Sequence, residues 1–181
     1  MENDGLVIKT EDSVTKTLML SPDTTEVITS LLDEGISVWV RARGTSNYPI
    51  IKPGITLLIE PLPYDECVPG DMVVTRRGDW LVTHRLLTWK KPGRNDPFGL
   101  MITRGDSCLN RDKLSGEKEY VGVVKWTKQY GQTSSMQEGK HLLFRTLFTR
   151  FEPVPQWTCH IMLRFRNKLF KIIPNKSKKP T

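Results

Sequence analysis

Short strand-like segments separated by turn residues dominate the middle of the chain, and they limit the folds that it can adopt. In Ile36–Arg43, apolar residues alternate with polar or larger ones, which is typical of a strand with one buried face. Strand signals recur in five further segments: Thr56–Glu60, Asp71–Arg76, Trp80–Leu87, Leu100–Arg104 and Tyr120–Lys128. The compact turn Arg77-Gly78-Asp79 would pair Asp71–Arg76 with Trp80–Leu87, the third and fourth of the six predicted strands. The sequence therefore predicts a mainly β fold, a coiled and mostly antiparallel β-domain.

A short helix is predicted ahead of these strands. Thr25–Glu34 follows Ser21 as a cap and Pro22 as the first helical residue, and Gly35 would stop the helix. A single helix is too little for a helix-turn-helix, so a DNA-binding domain is disfavoured. The acidic N-terminus has no basic or apolar leader region, and no run of eighteen apolar residues occurs, so neither a signal peptide nor a membrane-spanning helix is expected.

The basic charge of the chain is concentrated in its last quarter. From Lys140 onward there are ten Lys or Arg residues and one acid, Glu152, although the whole chain carries only +7. Apolar residues at helical spacing predict two amphipathic basic helices there, after a linker-like stretch over 130–135. Such helices fit an anionic membrane surface, or they could pack on the β-domain or on a partner protein. Nucleic-acid binding is disfavoured because no base-reading or stacking motif is present. The predicted organisation is an N-terminal extension (1–35), a central domain (36–128) and this tail (129–181).

Ser46 is the best candidate nucleophile, because it follows Gly44 where the first predicted strand ends. A serine hydroxyl needs a base to attack a carbonyl, and a neutral imidazole can accept its proton. His84 lies in the fourth predicted strand, and Asp106 and Asp112 follow in a later loop. The chain thus contains a nucleophile, a base and a carboxylate that could orient the base. Taken singly, each residue also fits an ordinary structural role in a turn, strand or loop.

Five short boxes in a fixed order make the pattern more specific: Gly44-x-Ser46-x-x-Pro49, Gly70-Asp71-Met72-Val73-Val74, Thr83-His84-Arg85, Arg104-Gly105-Asp106 and Val121-Gly122-Val123-Val124. Together they resemble the serine-peptidase superfamily of type I signal peptidases and LexA-type self-cleaving repressors. The resemblance extends from Val38 to Trp126 and implies the fold of that superfamily. Most bacterial members use a lysine base, whereas the histidine here resembles the archaeal and endoplasmic-reticulum type of signal peptidase.

The resemblance implies a Ser-His-Asp mechanism in which Ser46 attacks and His84 is the general base. In the histidine type the later of two carboxylates is the usual partner, so Asp112 is preferred to Asp106, which could instead belong to a structural turn. Two residues depart from the pattern. Asn47 replaces a methionine that helps form the substrate pocket, and Ile55 replaces a common aspartate, which is expected to change a turn contact and not the chemistry.

The predicted function is a serine endopeptidase acting on a peptide or precursor protein, without a metal or cofactor. The alternative is a catalytically inactive module of the same fold that binds such a peptide. Cys67, Cys108 and Cys159 have no metal-binding or disulfide spacing, which indicates free thiols in a reducing compartment. The expected location is therefore the cytoplasm, with peripheral membrane contact through the tail.

Overall fold

The computed structural model of the chain describes residues 5–8, 16–19, 22–93, 97–138, 142, 145, 146, 149, 157–162 and 164, with side chains from Thr24 onward. The strands and the first helix are, in chain order, β1 (Gly5–Ile8), β2 (Lys16–Met19), α1 (Pro22–Asp33), β3 (Val38–Arg41), β4 (Thr56–Glu60), β5 (Met72–Arg77), β6 (Trp80–Lys90), β7 (Leu100–Arg104), β8 (Tyr120–Gln129) and β9 (Gln132–Ser135). Short 3-10 turns, Tyr64–Glu66 and Glu117–Glu119, precede β5 and β8.

Seven of these strands form one sheet, in the order β3–β4–β8–β5–β6–β7, and β9 pairs with β8. All pairings in the sheet are antiparallel. The register shifts where β8 meets β4 and β5 and where β6 meets β7. Such irregularities bend strands and increase their twist, which coils a sheet. The prediction of a mainly β, antiparallel domain after a short helix is confirmed.

Helix α1 begins at Pro22, as predicted, and the chain leaves it through Gly35, whose φ of 83° suits a residue without a side chain. Ile28 and Leu32 on its inner face are buried in the core. The helix is also tied to the β5–β6 turn, because the Thr25 hydroxyl donates a 2.7 Å hydrogen bond to the Asp79 carbonyl. The predicted cap, Ser21, lies outside the described residues.

The strands agree closely with the six predicted segments, and two of them, Thr56–Glu60 and Leu100–Arg104, have the predicted bounds. The prediction of a linker over 130–135 is wrong, because Gln132–Ser135 forms β9 and pairs with the end of β8. This hairpin strand is mostly exposed, so its side chains are polar and show no apolar alternation. The β1–β2 hairpin has no counterpart among the predicted segments.

Strand β5 is buried on both faces. Met72 and Val74 belong to one apolar cluster, together with α1, β3, β4 and β8, whereas Val73 belongs to a second cluster with Leu86 and Met101. Because successive side chains of a strand point to opposite faces, this double burial explains the continuous apolar run at the start of β5.

The described positions of the C-terminal region are helical, at 142, 145, 146 and 149 and again at 157–162 and 164. The predicted helical character therefore holds at these positions, and the remainder of the two predicted helices lies outside the described residues. Within the described part of the chain, no helix is long and apolar enough to cross a membrane.

Candidate functional site

Ser46 lies in a turn that follows the end of β3. The backbone returns at this point through hydrogen bonds that join Ala42 to Ile55 and Gly54, and the Tyr48 amide donates to the Thr45 carbonyl. Ser46 itself is half-buried, which leaves its side chain within reach of a ligand. The turn thus presents a hydroxyl at the edge of the sheet from a fixed piece of backbone.

The loop after β7 holds the backbone of this turn. The Ser107 amide donates a 2.8 Å hydrogen bond to the Ser46 carbonyl. The Ser107 hydroxyl lies 2.8 Å from the Thr45 carbonyl and 2.9 Å from the Ser46 carbonyl. Gly105 packs so closely that a Cβ there would lie 2.7 Å from the Ser46 carbonyl oxygen and 2.9 Å from its Cβ. The position of Ser46 is therefore set by two segments that are far apart in the sequence.

His84 on β6 contacts Asp112, the first of the two candidate carboxylates. The distance from His84 Nδ1 to Asp112 Oδ2 is 2.5 Å, and the two side chains are only 11% and 14% exposed. Asp112 is fixed in turn by β7, since its amide donates to the Thr103 carbonyl and its Oδ2 accepts a 2.8 Å hydrogen bond from the Thr103 hydroxyl. Arg77 Nη2 lies 3.5 Å from the same oxygen.

Asp112 is held as a carboxylate by these partners. Burial acts to raise the pKa of Asp112, but hydrogen bonding and charge from His84, with the Thr103 hydroxyl and Arg77, bring that pKa below its ordinary value. An ionised Asp112 accepts a hydrogen bond from the N–H at His84 Nδ1, which leaves His84 Nε2 as the atom able to act as a base.

Asp106, the second candidate, does not contact His84 but forms a buried ion pair with Arg85. Arg85 Nε and Nη2 donate to the two Asp106 carboxylate oxygens at 2.7 and 2.8 Å, and the side chains are 2% and 1% exposed. Arg85 Nη1 also donates to the Gly70 carbonyl at 2.8 Å. This bidentate ion pair fixes the loop after β7 to β6.

Asn47, one of the two departures noted in the sequence, joins these parts. Its Nδ2 donates a 2.6 Å hydrogen bond to the Thr83 carbonyl, and its Oδ1 accepts a 3.3 Å bond from the Asp106 amide. Asn47 is 6% exposed, so both ends of its amide are satisfied inside the protein. The turn carrying Ser46 is therefore attached directly to the residue that precedes His84. The other departure, Ile55, is buried in the apolar core.

A cavity of about 520 Å³ borders the turn. Ser46, Asn47 and Thr83 contribute to its wall, and most of the remaining lining is apolar side chains of the neighbouring strands, among them Val40, Ala42, Leu57, Ile59, Val74 and Leu81. An apolar cavity beside a fixed hydroxyl can bind an apolar side chain of a ligand.

The three cysteines are free thiols and compete poorly as nucleophiles. Burial raises the pKa of Cys67 and of Cys159 to about 11, and burial with Asp112 and Asp106 raises the pKa of Cys108. A thiol in this state carries little of the reactive thiolate at neutral pH.

The supporting residues Arg85, Thr103 and Ser107 are not among the site residues that the sequence predicts. A signal for one pair was present, because Arg85 and Asp106 are opposite charges inside two of the five boxes. Thr103 and Ser107 carried no such signal, since hydroxyl residues near strand ends are common.

Comparisons with protein families, with curated proteins and with solved structures found no match to this chain.

Proposed function

We propose that this protein is a serine endopeptidase of the signal-peptidase type, with Ser46 as nucleophile, His84 as general base and Asp112 as the residue that orients His84. The observation that carries the proposal is the 2.5 Å contact between His84 and a largely buried Asp112, beside a strand-end turn that contains Ser46. The five sequence boxes that resemble this superfamily support it independently.

The proposed chemistry is acyl transfer to the serine followed by hydrolysis. Ser46 Oγ attacks the scissile carbonyl while His84 Nε2 accepts the hydroxyl proton, and ionised Asp112 stabilises the resulting imidazolium. The imidazolium then gives that proton to the leaving amine. Water next attacks the acyl group on Ser46, with His84 again accepting a proton and returning it to the serine oxygen. The Ser46 backbone N–H is proposed as one donor to the oxyanion.

The proposed substrate is an extended peptide that binds along the strand leading to Ser46. The apolar cavity that borders Ser46 would take an apolar side chain of that peptide, and main-chain hydrogen bonds to the strand would hold its backbone. The departure at Asn47 does not count against an enzyme, because its amide joins the Ser46 turn to β6.

Peptide-library profiling by mass spectrometry tests the proposal. Wild type is expected to give cleavage products, whereas Ser46→Ala and His84→Ala should each reduce the rate by at least about 1000-fold, because both groups act in the same step. Ser37→Ala, at a half-buried serine outside the site, is the matched control and should cleave as wild type does. Products that persist in Ser46→Ala would contradict the assignment.

The alternative function is peptide binding without cleavage, in which the same strand and cavity hold a precursor. This alternative is favoured if neither wild type nor any variant produces cleavage products while a library peptide binds to wild type. Such binding should then be weakened by closing the cavity with Ala42→Phe, a change that enlarges a side chain in the cavity wall.

An anionic membrane surface is proposed as a second partner. Trp157, Ile161 and Met162 on the described helical segment are 58%, 43% and 51% exposed. From Arg164 onward the sequence contains basic residues and no acid. Exposed aromatic and aliphatic side chains beside many cations match a negatively charged headgroup layer, where each basic residue contributes about 1 kcal/mol.

A further inference from the structure

The helical segment 157–162 contacts the loop that holds Ser46. His160 Nδ1 lies 3.1 Å from the Ser107 carbonyl oxygen, so the imidazole N–H donates and the carbonyl accepts. The preceding residue, Cys159, is 5% exposed, and its thiol lies near enough to Asp106 and Arg85 for their charges to act on its pKa. One face of this segment therefore rests on the β-domain while Trp157 and Ile161 face outward.

Ser107 connects His160 to the candidate nucleophile. It is 3% exposed, its carbonyl accepts from His160, and its amide and hydroxyl hold the carbonyls of Ser46 and Thr45. The Ser107 carbonyl, amide and hydroxyl belong to one residue, so a displacement of Ser107 would alter all of these bonds together. The path from His160 to the Ser46 backbone thus has only one intervening residue.

A second residue of the C-terminal region, Arg145, contacts a segment that is linked to the loop after β7. Arg145 Nε donates to the Pro69 carbonyl at 3.3 Å, and Arg145 Nη1 lies 3.7 Å from Asp71 Oδ1. The residue between these two, Gly70, accepts the hydrogen bond from Arg85, which in turn holds Asp106. His160 and Arg145 therefore both contact segments that help to position the candidate site.

We propose that His160 is a positioning residue for Ser46, and that the C-terminal region is in this way a working part of the candidate active site. The proposal rests on the proposed peptidase function. His160 acts through Ser107 and contacts no reacting atom. Its hydrogen bond keeps the loop after β7 in the place where the Ser107 amide and hydroxyl fix the turn that presents Ser46.

The test compares full-length wild type with His160→Leu, which keeps the approximate volume and removes the donor, and His160→Asn, whose Nδ2 can take the place of imidazole Nδ1. Amide hydrogen exchange is read at Ser107 and, as an internal reference, at Leu86, whose buried amide donates to the Asp71 carbonyl. His160→Leu should raise the exchange rate at Ser107 about tenfold relative to Leu86, and His160→Asn should restore it.

The catalytic readout is cleavage of a library peptide found with wild type. His160→Leu is expected to lower kcat about tenfold with KM unchanged, because it misplaces the nucleophile without altering the cavity, and His160→Asn should recover kcat. Unchanged exchange at Ser107 in His160→Leu, or cleavage by that variant at the wild-type kcat, would overturn the role of His160. Absence of cleavage by wild type would instead overturn the proposed function, because the exchange measurement does not depend on catalysis.

Discussion

Two aspartates six residues apart have different environments in this protein. Asp112 contacts His84, Thr103 and Arg77, and it retains some exposure. Asp106 is almost fully buried against Arg85. The first arrangement suits a carboxylate that orients a base, and the second suits an ion pair that stabilises a loop, since loss of one member would leave a buried charge without its partner.

Asp112 should contribute stability that depends on pH. Its pKa is lowered in the folded protein, so the contribution is complete above the unfolded-state value of about 3.9 and is lost as pH falls through the lower folded-state value. The substitution Asp112→Asn should cost about 1–3 kcal/mol at pH 7, because it removes the charge that His84 and Arg77 face. Urea unfolding of both proteins between pH 5 and pH 2 should show this difference shrinking with acidification.

The matched control for that measurement is Asp79→Asn, at an exposed position in the β5–β6 turn. It should change the free energy of unfolding by less than about 0.5 kcal/mol at pH 7. A difference between wild type and Asp112→Asn that stays constant from pH 5 to pH 2 would contradict the role given to the ionised carboxylate.

At the scale of elements, side chains that point alternately to the two faces of β6 place the partners of the two aspartates on opposite sides of the sheet. His84 and Arg85 are consecutive, so their side chains point to opposite faces of the sheet. Thr103 on β7 lies opposite Leu86, on the face of His84, and supports Asp112 there. Arg104 lies opposite Arg85, and Asp106 follows at the end of β7 to meet Arg85. Strand pairing thus assigns each carboxylate to its partner.

The close approach between the loop after β7 and the Ser46 turn requires glycine at position 105. In Gly105→Ala, the new Cβ would lie 2.7 Å from the Ser46 carbonyl oxygen and 2.9 Å from Cys108 Sγ, so the two segments must separate. We expect a loss of about 1–3 kcal/mol in the free energy of unfolding, together with slower peptide cleavage.

Gly44→Ala is the control for this substitution, because a Cβ at Gly44 would meet no atom within 4 Å. Its stability should stay within about 0.5 kcal/mol of wild type. Equal losses of stability in the two variants, measured by denaturant unfolding, would show that the contact between the loop and the turn is not what requires glycine.

For the whole molecule, the two faces of the C-terminal segment suggest different partners. Cys159 and His160 face the β-domain, and Trp157, Ile161 and Met162 face outward. The amphipathic sequence of the tail allows packing on the β-domain and contact with a membrane as alternatives. The described residues are compatible with both, because an amphipathic segment can bury one side and offer the other.

Vesicle flotation tests the membrane proposal with the full-length protein. Wild type should float with vesicles that contain phosphatidylglycerol and remain unbound to phosphatidylcholine vesicles, since the tail is strongly basic. Changing Trp157, Ile161 and Met162 together to Ser should reduce the bound fraction at least about tenfold. Trp80→Ser, at a 71% exposed residue of the β5–β6 hairpin, should bind as wild type. Wild-type protein that stays unbound to the anionic vesicles would refute the proposal.

The sequence by itself determined strands β3 to β8 and helix α1, because strand periodicity, helix signals and turn residues are local properties. The tertiary structure decided that Asp106 pairs with Arg85, that Asn47 joins the Ser46 turn to β6, that the polar segment 132–135 is a strand, and that His160 reaches Ser107. These outcomes depend on register and on contacts between distant segments. Such contacts leave no periodic trace in a single sequence, which is the physical reason that it did not reveal them.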